Sequence, residues 1–271
     1  MEVTSLAEKL YFTTVRIDTV DSDNNIGSET GFVFNYQRDG YNYPFVVTNK
    51  HVVEGADRGN LRFLKKENNK PKLGDEFRVY LESFASQWMG HTESDVDIAV
   101  VPLGPLLEVM DSKGVEAYFR TVSSNDIPTE EQLEEIDAFE EIVFVGYPNG
   151  IWDQVNHTPI MRKGNTATPI ILDYEGKPQF LIDASVFSGS SGSPVFIYQS
   201  GVFGTRQGTK AGTKFFFIGL VASGYYEKSP NEIVNLPIPT NQASVAINKE
   251  MIDLGIVWKA RKVIETIEEV I

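Results

Sequence analysis

Phe187-Ser188-Gly189-Ser190-Ser191-Gly192-Ser193-Pro194-Val195-Phe196 is the stretch on which the reading of this sequence turns. Glycines flank a serine pair, and an apolar run follows at once. Gly189 permits the unusual backbone in which successive N–H groups point into one pocket. Read alone, the segment is equally an ordinary Ser/Gly loop. Its weight comes from two further segments upstream.

A hydroxyl nucleophile at neutral pH needs a base to take its proton, a carboxylate to orient that base, and donors for the oxyanion. The chain has three histidines, His51, His91 and His157. His51 follows the apolar run of Val46-Val47-Thr48-Asn49-Lys50-His51-Val52-Val53, on a turn at a strand end. Asp97 stands just before Ile98-Ala99-Val100-Val101. Asp95 competes with it, because residues two apart face the same side of a strand. A lone histidine at a strand end or an aspartate in a turn says little. His51, Asp97 and Ser191 in this order, set between two β-rich blocks, say much more.

The flanking text is β-rich. Thr14–Asp18 alternates apolar and polar residues, and apolar runs at 31–34, 45–48, 61–64, 77–81 and 98–101 follow, separated by turns such as Asp39-Gly40 and Asn68-Asn69. A second block has strand candidates at 142–146, 180–184, 194–197 and 215–222, with a Gly/Thr-rich hairpin or loop between 200 and 214. Short strands with regular turns imply a barrel or sandwich. Helices are expected at 4–11, at 105–110 and, from the proline and early acids of Pro128-Thr129-Glu130-Glu131, at 128–136. Ala243, Ile247, Met251 and Leu254 share one helical face, and Gly255 suits a helix stop. Val263, Ile264, Ile267 and Val270 predict a last amphipathic helix that packs on the body or docks a partner, with packing favoured.

Composition narrows the class. The chain has 271 residues, 41% hydrophobic and 23% charged, enough to bury a substantial core. It has no cysteine, which excludes a thiol nucleophile, disulfides and cysteine-based metal sites, and makes a reducing cytoplasm the simplest location. A net charge of −14 disfavours nucleic acid and leaves open a preference for basic substrates or partners. The first residues lack the pattern of a signal peptide, and no run approaches the ~18 apolar residues of a membrane helix, so no membrane association is expected.

The segments now resemble those of a known family. Thr48-Asn49-Lys50-His51-Val52-Val53, Asp97-Ile98-Ala99-Val100-Val101 and Gly189-Ser190-Ser191-Gly192-Ser193-Pro194 resemble the three signature blocks of trypsin-like serine peptidases, closest in style to the cysteine-free bacterial HtrA/Deg-type domain. Phe144-Val145-Gly146-Tyr147-Pro148-Asn149-Gly150 resembles the strand end that opens the family's second barrel. Asn235-Leu236-Pro237-Ile238-Pro239 resembles the lead into its C-terminal helix. The resemblance spans about residues 28–254.

It implies an all-β chymotrypsin fold of two six-stranded antiparallel barrels with short terminal helices. The whole chain is then one peptidase unit, with a first barrel over 12–103, a connector over 104–140, a second barrel over 141–228 and C-terminal helices over 241–271. The implied activity is that of a serine endopeptidase acting on protein or peptide substrates through an acyl-enzyme. Ser191 is the implied nucleophile, rather than Ser188, Ser190 or Ser193. His51 is the implied base, Asp97 its orienting acid, and the backbone N–H groups of Gly189 and Ser191 the oxyanion hole. Ser185 is placed at the base of the primary pocket, and Ala222-Ser223-Gly224 along the edge that pairs with substrate backbone. No metal or organic cofactor is implied.

Departures from the family pattern matter too. Ser190 stands where digestive trypsins have an aspartate, and no Ile-Val-Gly-Gly start is present, so the zymogen switch is not expected. Ser193 replaces a common glycine. A C-terminal PDZ domain is not expected, since the chain stops at 271. Ser185 is not acidic, which favours an apolar side chain before the scissile bond over Lys or Arg. An α/β-hydrolase would need glycine at 193 and a histidine after the serine, and a zinc peptidase would need a His-Glu-x-x-His. The remaining alternatives are a partner-gated or catalytically silent binding module on the same fold, and a dedicated processing peptidase for one partner protein; the acidic connector and C-terminal helix leave control by a regulatory protein partner open.

Overall fold

Gly31-Phe32-Val33-Phe34 shows how the chain divides its apolar residues. Phe32 and Phe34 point into a core between two sheets, while Val33 points into the interior of the first. A strand buried on both faces reads as an unbroken apolar run, because successive side chains leave on opposite sides. Ile142-Val143-Phe144-Val145 repeats the device in the second half: Val143 and Val145 face the shared core, Ile142 and Phe144 the second interior.

The computed structural model describes residues 1–232 and 245–271, with side chains through 224 and again from 252. After helix α1 (Leu6–Leu10), capped by Ser5 and Glu8 in a reciprocal box, come strands β1 (Thr14–Asp21), β2 (Ile26–Arg38) and β3 (Tyr41–Thr48). The one-turn helix α2 (Lys50–Val53) follows, then β4 (Ala56–Glu67), β5 (Lys70–Glu82), β6 (Met89–Gly90), β7 (Ala99–Pro102) and helix α3 (Leu103–Asp111). Short strands β8 (Ala117–Tyr118) and β9 (Val122–Ser123) precede helix α4 (Glu130–Glu135). The second half holds β10 (Glu141–Gly146), β11 (Ile160–Thr166), β12 (Gln179–Asp183), β13 (Pro194–Thr205), β14 (Gly208–Glu232), β15 (Val245–Lys259) and helix α5 (Arg261–Glu268). No helix among the described residues is long and apolar enough to cross a membrane.

The second half closes as a ring of six strands in the order β10-β11-β12-β15-β14-β13. The first half is a nine-stranded sheet running β5-β4-β1-β2-β3-β7-β6, with β8 beside β4 and β9 parallel to β2. It differs from the expected six-stranded barrel on two counts: residues before 104 already form seven strands, β6 being a two-residue addition, and the connector at 104–140 contributes β8 and β9. Its far edge, β6, has only two residues, and the turn carrying buried Phe84 and Trp88 packs its Phe84 ring over Gly59 of β4.

Residues 245–254 correct the helix expected over 241–254. The described part is strand, with Leu254 opposite Asp183, Gly255 opposite Ile182 and Val257 opposite Phe180. The ring needs a strand between β12 and β14, and that pairing overrides the helix-like spacing of Ile247, Met251 and Leu254. Gly255 is no helix stop. A side chain there would collide with Val186 and come within 3.0 Å of Ile182. The helix begins only at Arg261. Ala243 and the Asn235–Pro239 segment lie outside the described residues.

The shared core joins the halves. Phe32, Phe34, Phe196 and Phe217 meet at ring-centroid separations of 5.4–6.3 Å, and Val263 and Ile267 of α5 close the cluster. Each such buried side chain contributes about 1.5–3 kcal/mol relative to exposure. A second tie is polar. The Arg16 guanidinium donates to the Gly150 carbonyl at 2.9 Å, and Arg16 and Arg62 both lie over the Trp152 ring, at 5.0 and 5.2 Å.

Candidate functional site

His51 stands on α2, at the end of β3. Val52 and Val53, next in the chain, are buried in the first interior and fix the turn. Asn49 donates from Nδ2 to the Asp97 carbonyl at 2.7 Å, tying α2 to the segment at 96–98. There Val96 and Ile98 are buried in the shared core, and alternation turns Asp97 outward between them. The Asp97 carboxylate accepts from the His51 backbone N–H at 3.0 Å on Oδ1, and its Oδ2 lies 2.6 Å from His51 Nδ1. Asp95, the competing carboxylate, is exposed and accepts from the neighbouring Ser94 hydroxyl, its sole side-chain hydrogen bond among the described residues. Burial pulls the His51 pKa down, but the hydrogen bond and charge of Asp97, with Glu29 and Glu54, outweigh it, and the imidazole titrates above its ordinary value.

The 187–193 loop is a pair of tight turns, closed by Ser190 N–H to the Phe187 carbonyl and Ser193 N–H to the Ser190 carbonyl, both at 3.0 Å. Gly189 and Gly192 take φ of +84° and +82°, where only glycine is comfortable. A side chain at Gly189 would run into the Tyr147 carbonyl, and one at Gly192 into the Thr30 carbonyl. The loop is stitched to both halves. Gly192 N–H donates to the Val221 carbonyl and Val221 N–H to the Ser193 carbonyl, at 2.8 and 2.9 Å. From the first sheet, Thr30 N–H donates to the Ser191 carbonyl at 3.2 Å, and the Thr30 hydroxyl donates to the Gly189 carbonyl at 2.8 Å while accepting from Tyr147 N–H at 3.0 Å.

Of the four serines, Ser190 and Ser193 are sealed in, their hydroxyls without hydrogen-bond partners. The small Ser193 side chain fits where a common glycine was expected because Gly146 opposite has no side chain. Ser188 is exposed. The Ser191 hydroxyl donates to the Ala222 carbonyl at 3.1 Å. Among the described residues no hydrogen bond joins it to His51, and the Ser191 N–H makes none at all.

One residue that the sequence did not single out lies between these parts. Glu29 of β2, beside Thr30, feels the charge of His51, the N–H of Gly189 and the hydroxyl of Ser188. Burial pushes its carboxyl up to about 7 against all three. Its Oε2 is buried with no hydrogen-bond partner. In the sequence it is one acid in a polar strand start, and nothing in that pattern tells where its side chain goes.

Around the expected pocket, the Ser185 carbonyl accepts from Arg162, whose guanidinium lies over the rings of Phe144 and Phe187 at 5.4 and 5.1 Å. Burial lowers the Arg162 pKa, with Asp253 opposing. Ser223 and Gly224 pair with Ile256 and Gly255 of β15, while the β13 ladder on their other side ends at Leu220. The edge at 222–224 is thus unpaired among the described residues.

His91, Glu93 and Glu265 bring three possible ligand atoms within 4.8 Å of one another. The chain itself fills that cluster. Lys262 Nζ sits 2.9 Å from Glu93 and 2.6 Å from Glu265, and His91 Nδ1 accepts from Glu93 N–H.

A family model described as trypsin-like peptidase domain matches residues 29–204. The chain belongs to the trypsin-like peptidase family. His51, Asp97 and Ser191 all fall within the matched span. Comparison with curated protein sequences gives no match. Solved structures are similar at low identity. Rv3671c from M. tuberculosis H37Rv, in its inactive form, is 16% identical over 98% of this chain and 89% of its own, with a TM-score of 0.46. The HtrA-type protease AlgW with tripeptide is 12% identical over 97% of this chain and 62% of its own, at 0.49. A scabies mite inactivated protease paralogue is 13% identical over 99% of this chain and 97% of its own, at 0.46.

Proposed function

We propose that the chain is a serine endopeptidase in which Ser191 attacks peptide carbonyls with His51 as base and Asp97 as its orienting acid. The observation that supports the reading is the doubly bonded His51–Asp97 pair, together with a serine in a glycine-bordered turn whose own N–H is free of hydrogen bonds among the described residues.

The chemistry follows from these groups. The Ser191 hydroxyl leaves the Ala222 carbonyl by rotating about its side-chain bond and gives its proton to His51 Nε2 as Oγ bonds the substrate carbonyl carbon. The carbonyl oxygen takes the negative charge and is met by the N–H of Ser191 and by that of Gly189 once it leaves the Glu29 carboxyl, each such donor contributing roughly 2.7–4 kcal/mol to the transition state. His51 then protonates the departing amine, the C–N bond breaks, and water repeats the sequence on the ester. An extended substrate adds as a strand to the open edge at Ala222-Ser223-Gly224, with its side chain before the scissile bond towards Ser185. No step needs a metal or organic cofactor.

The Ser191–Ala222 hydrogen bond favours one second reading, a site gated by a partner that turns the hydroxyl towards His51. Fluorophosphonate labelling of the native chain, Ser191→Ala and His51→Ala separates the readings. Rapid labelling that both substitutions abolish supports the peptidase. A folded native chain that stays unlabelled defeats the autonomous enzyme and leaves the gated one.

A further inference from the structure

We propose that Glu29 makes this site select substrates with a lysine or arginine immediately after the scissile bond. The inference rests on the peptidase reading above and names its substrate class. In that reading the oxyanion meets the Gly189 N–H, and the departing amine takes its proton from His51. Glu29 stands on β2 next to Thr30, whose hydroxyl and N–H bond the Gly189 and Ser191 carbonyls, and its carboxyl feels the Gly189 N–H and the His51 charge, so it borders the leaving side of the bond. The acyl side is occupied by other groups, the Ser185 carbonyl and the edge at 222–224.

Glu29 has no ion-pair partner among the described residues, and its buried Oε2 has no donor. A buried carboxylate oxygen without a donor is costly, and a hydrogen-bonding cation relieves it. Nearby cations of the chain are engaged elsewhere. The Lys50 ammonium donates to the Glu93 carbonyl at 2.9 Å, and Arg16 is committed to Asp18 and the Gly150 carbonyl. The ammonium or guanidinium then has to come with the substrate, and a chain of net charge −14 draws such substrates towards it.

Digestion of a mixed peptide library, with the residues on both sides of every cut read by mass spectrometry, tests this directly. The native chain is expected to enrich Lys and Arg at the first position after the cut by about tenfold over Leu. Glu29→Gln is expected to bring that ratio near one, and Glu29→Lys to invert it towards Asp and Glu. Labelling with a small fluorophosphonate, which carries no residue on that side, reads the Ser191–His51 chemistry separately. Labelling together with cuts indifferent to the following residue overturns the Glu29 assignment alone. So does a Glu29→Gln variant that speeds all cuts equally, because the carboxyl then merely obstructs the Gly189 N–H. A native chain that neither labels nor cuts overturns the peptidase reading, and this inference falls with it.

Discussion

Asp97→Asn removes one charge from the site and leaves the side-chain outline intact. The carboxylate oxygen stands 2.6 Å from His51 Nδ1. At an effective dielectric of about 20, unit charges that close attract by roughly 6 kcal/mol. The imidazole is 47% exposed and the carboxylate 28%, so solvent screening reduces the figure. About 3–5 kcal/mol of imidazolium stabilisation then remains to be lost, which is roughly 10²–10⁴ in rate. The tautomer changes as well. An amide N–H turned towards Nδ1 makes that nitrogen the acceptor and leaves the ring proton on Nε2, where it blocks transfer from Ser191. The assay is peptide hydrolysis, or fluorophosphonate labelling, followed against pH. On the proposed mechanism activity requires neutral imidazole, so in the native chain it is expected to rise with pH through a point above the ordinary histidine value of about 6.5. In Asp97→Asn that point moves down and the plateau falls. The same raised pKa means that protonated His51 stabilises the fold. That contribution is complete below the unfolded-state value and is lost as pH rises through the folded one, so the variant loses stability on the acid side. A plateau within threefold of native, or an unmoved rise, would refute the argument.

Other substitutions probe what holds the site. Gly192→Ala forces a side chain into a +82° backbone against Thr30, 2.6 Å from Thr48 Oγ1. About 2–4 kcal/mol of stability is expected to go, with labelling of Ser191, read by denaturant melts and probe kinetics. Thr30→Val leaves the Gly189 carbonyl and Tyr147 N–H without their shared hydroxyl, at about 1–3 kcal/mol each. A variant whose labelling rate matches native would show that this tie does not shape the loop. Lys214 and Glu140 form an ion pair 2.5 Å apart, with side chains 6% and 3% exposed. Lys214→Met is expected to cost about 3–5 kcal/mol by stranding the carboxylate, and Lys214→Met with Glu140→Gln to recover most of it. Equal melting temperatures for the single and double variants would contradict that account.

The expected strand at 31–34 was legible because both its faces are buried, and the expected helices at 105–110 and 128–136 because their apolar spacing or capping is local. β11 was missed, because Ile160-Met161-Arg162-Lys163-Gly164-Asn165-Thr166 shows no clean alternation and becomes a strand only by pairing with β10. β15 was misread for the complementary reason: its i, i+4 apolar spacing is a local helix signal that ring closure overrides. His51, Asp97 and Ser191 stood out by their flanking residues. Glu29 did not, since its meaning arises from the charge of His51 and the N–H of Gly189, residues 22 and 160 positions away. Arg162 at the Ser185 carbonyl is the same kind of case.

Thr30 bears on when the site comes into being. The proposed base and its carboxylate are synthesised early, by residue 97, although Val96 and Ile98 beside that carboxylate bury themselves in the core shared with the second half. The loop of Ser191 takes its shape by leaning on Thr30 from one side and on Val221 from the other. A nascent chain therefore carries His51 and Asp97 through the synthesis of more than a hundred further residues before Ser191 and Val221 have both been made. In such a molecule chain growth itself delays the appearance of a nucleophile. Nascent chains stalled at successive lengths would reveal this as labelling that starts abruptly, only once the segment around Val221 has left the ribosome.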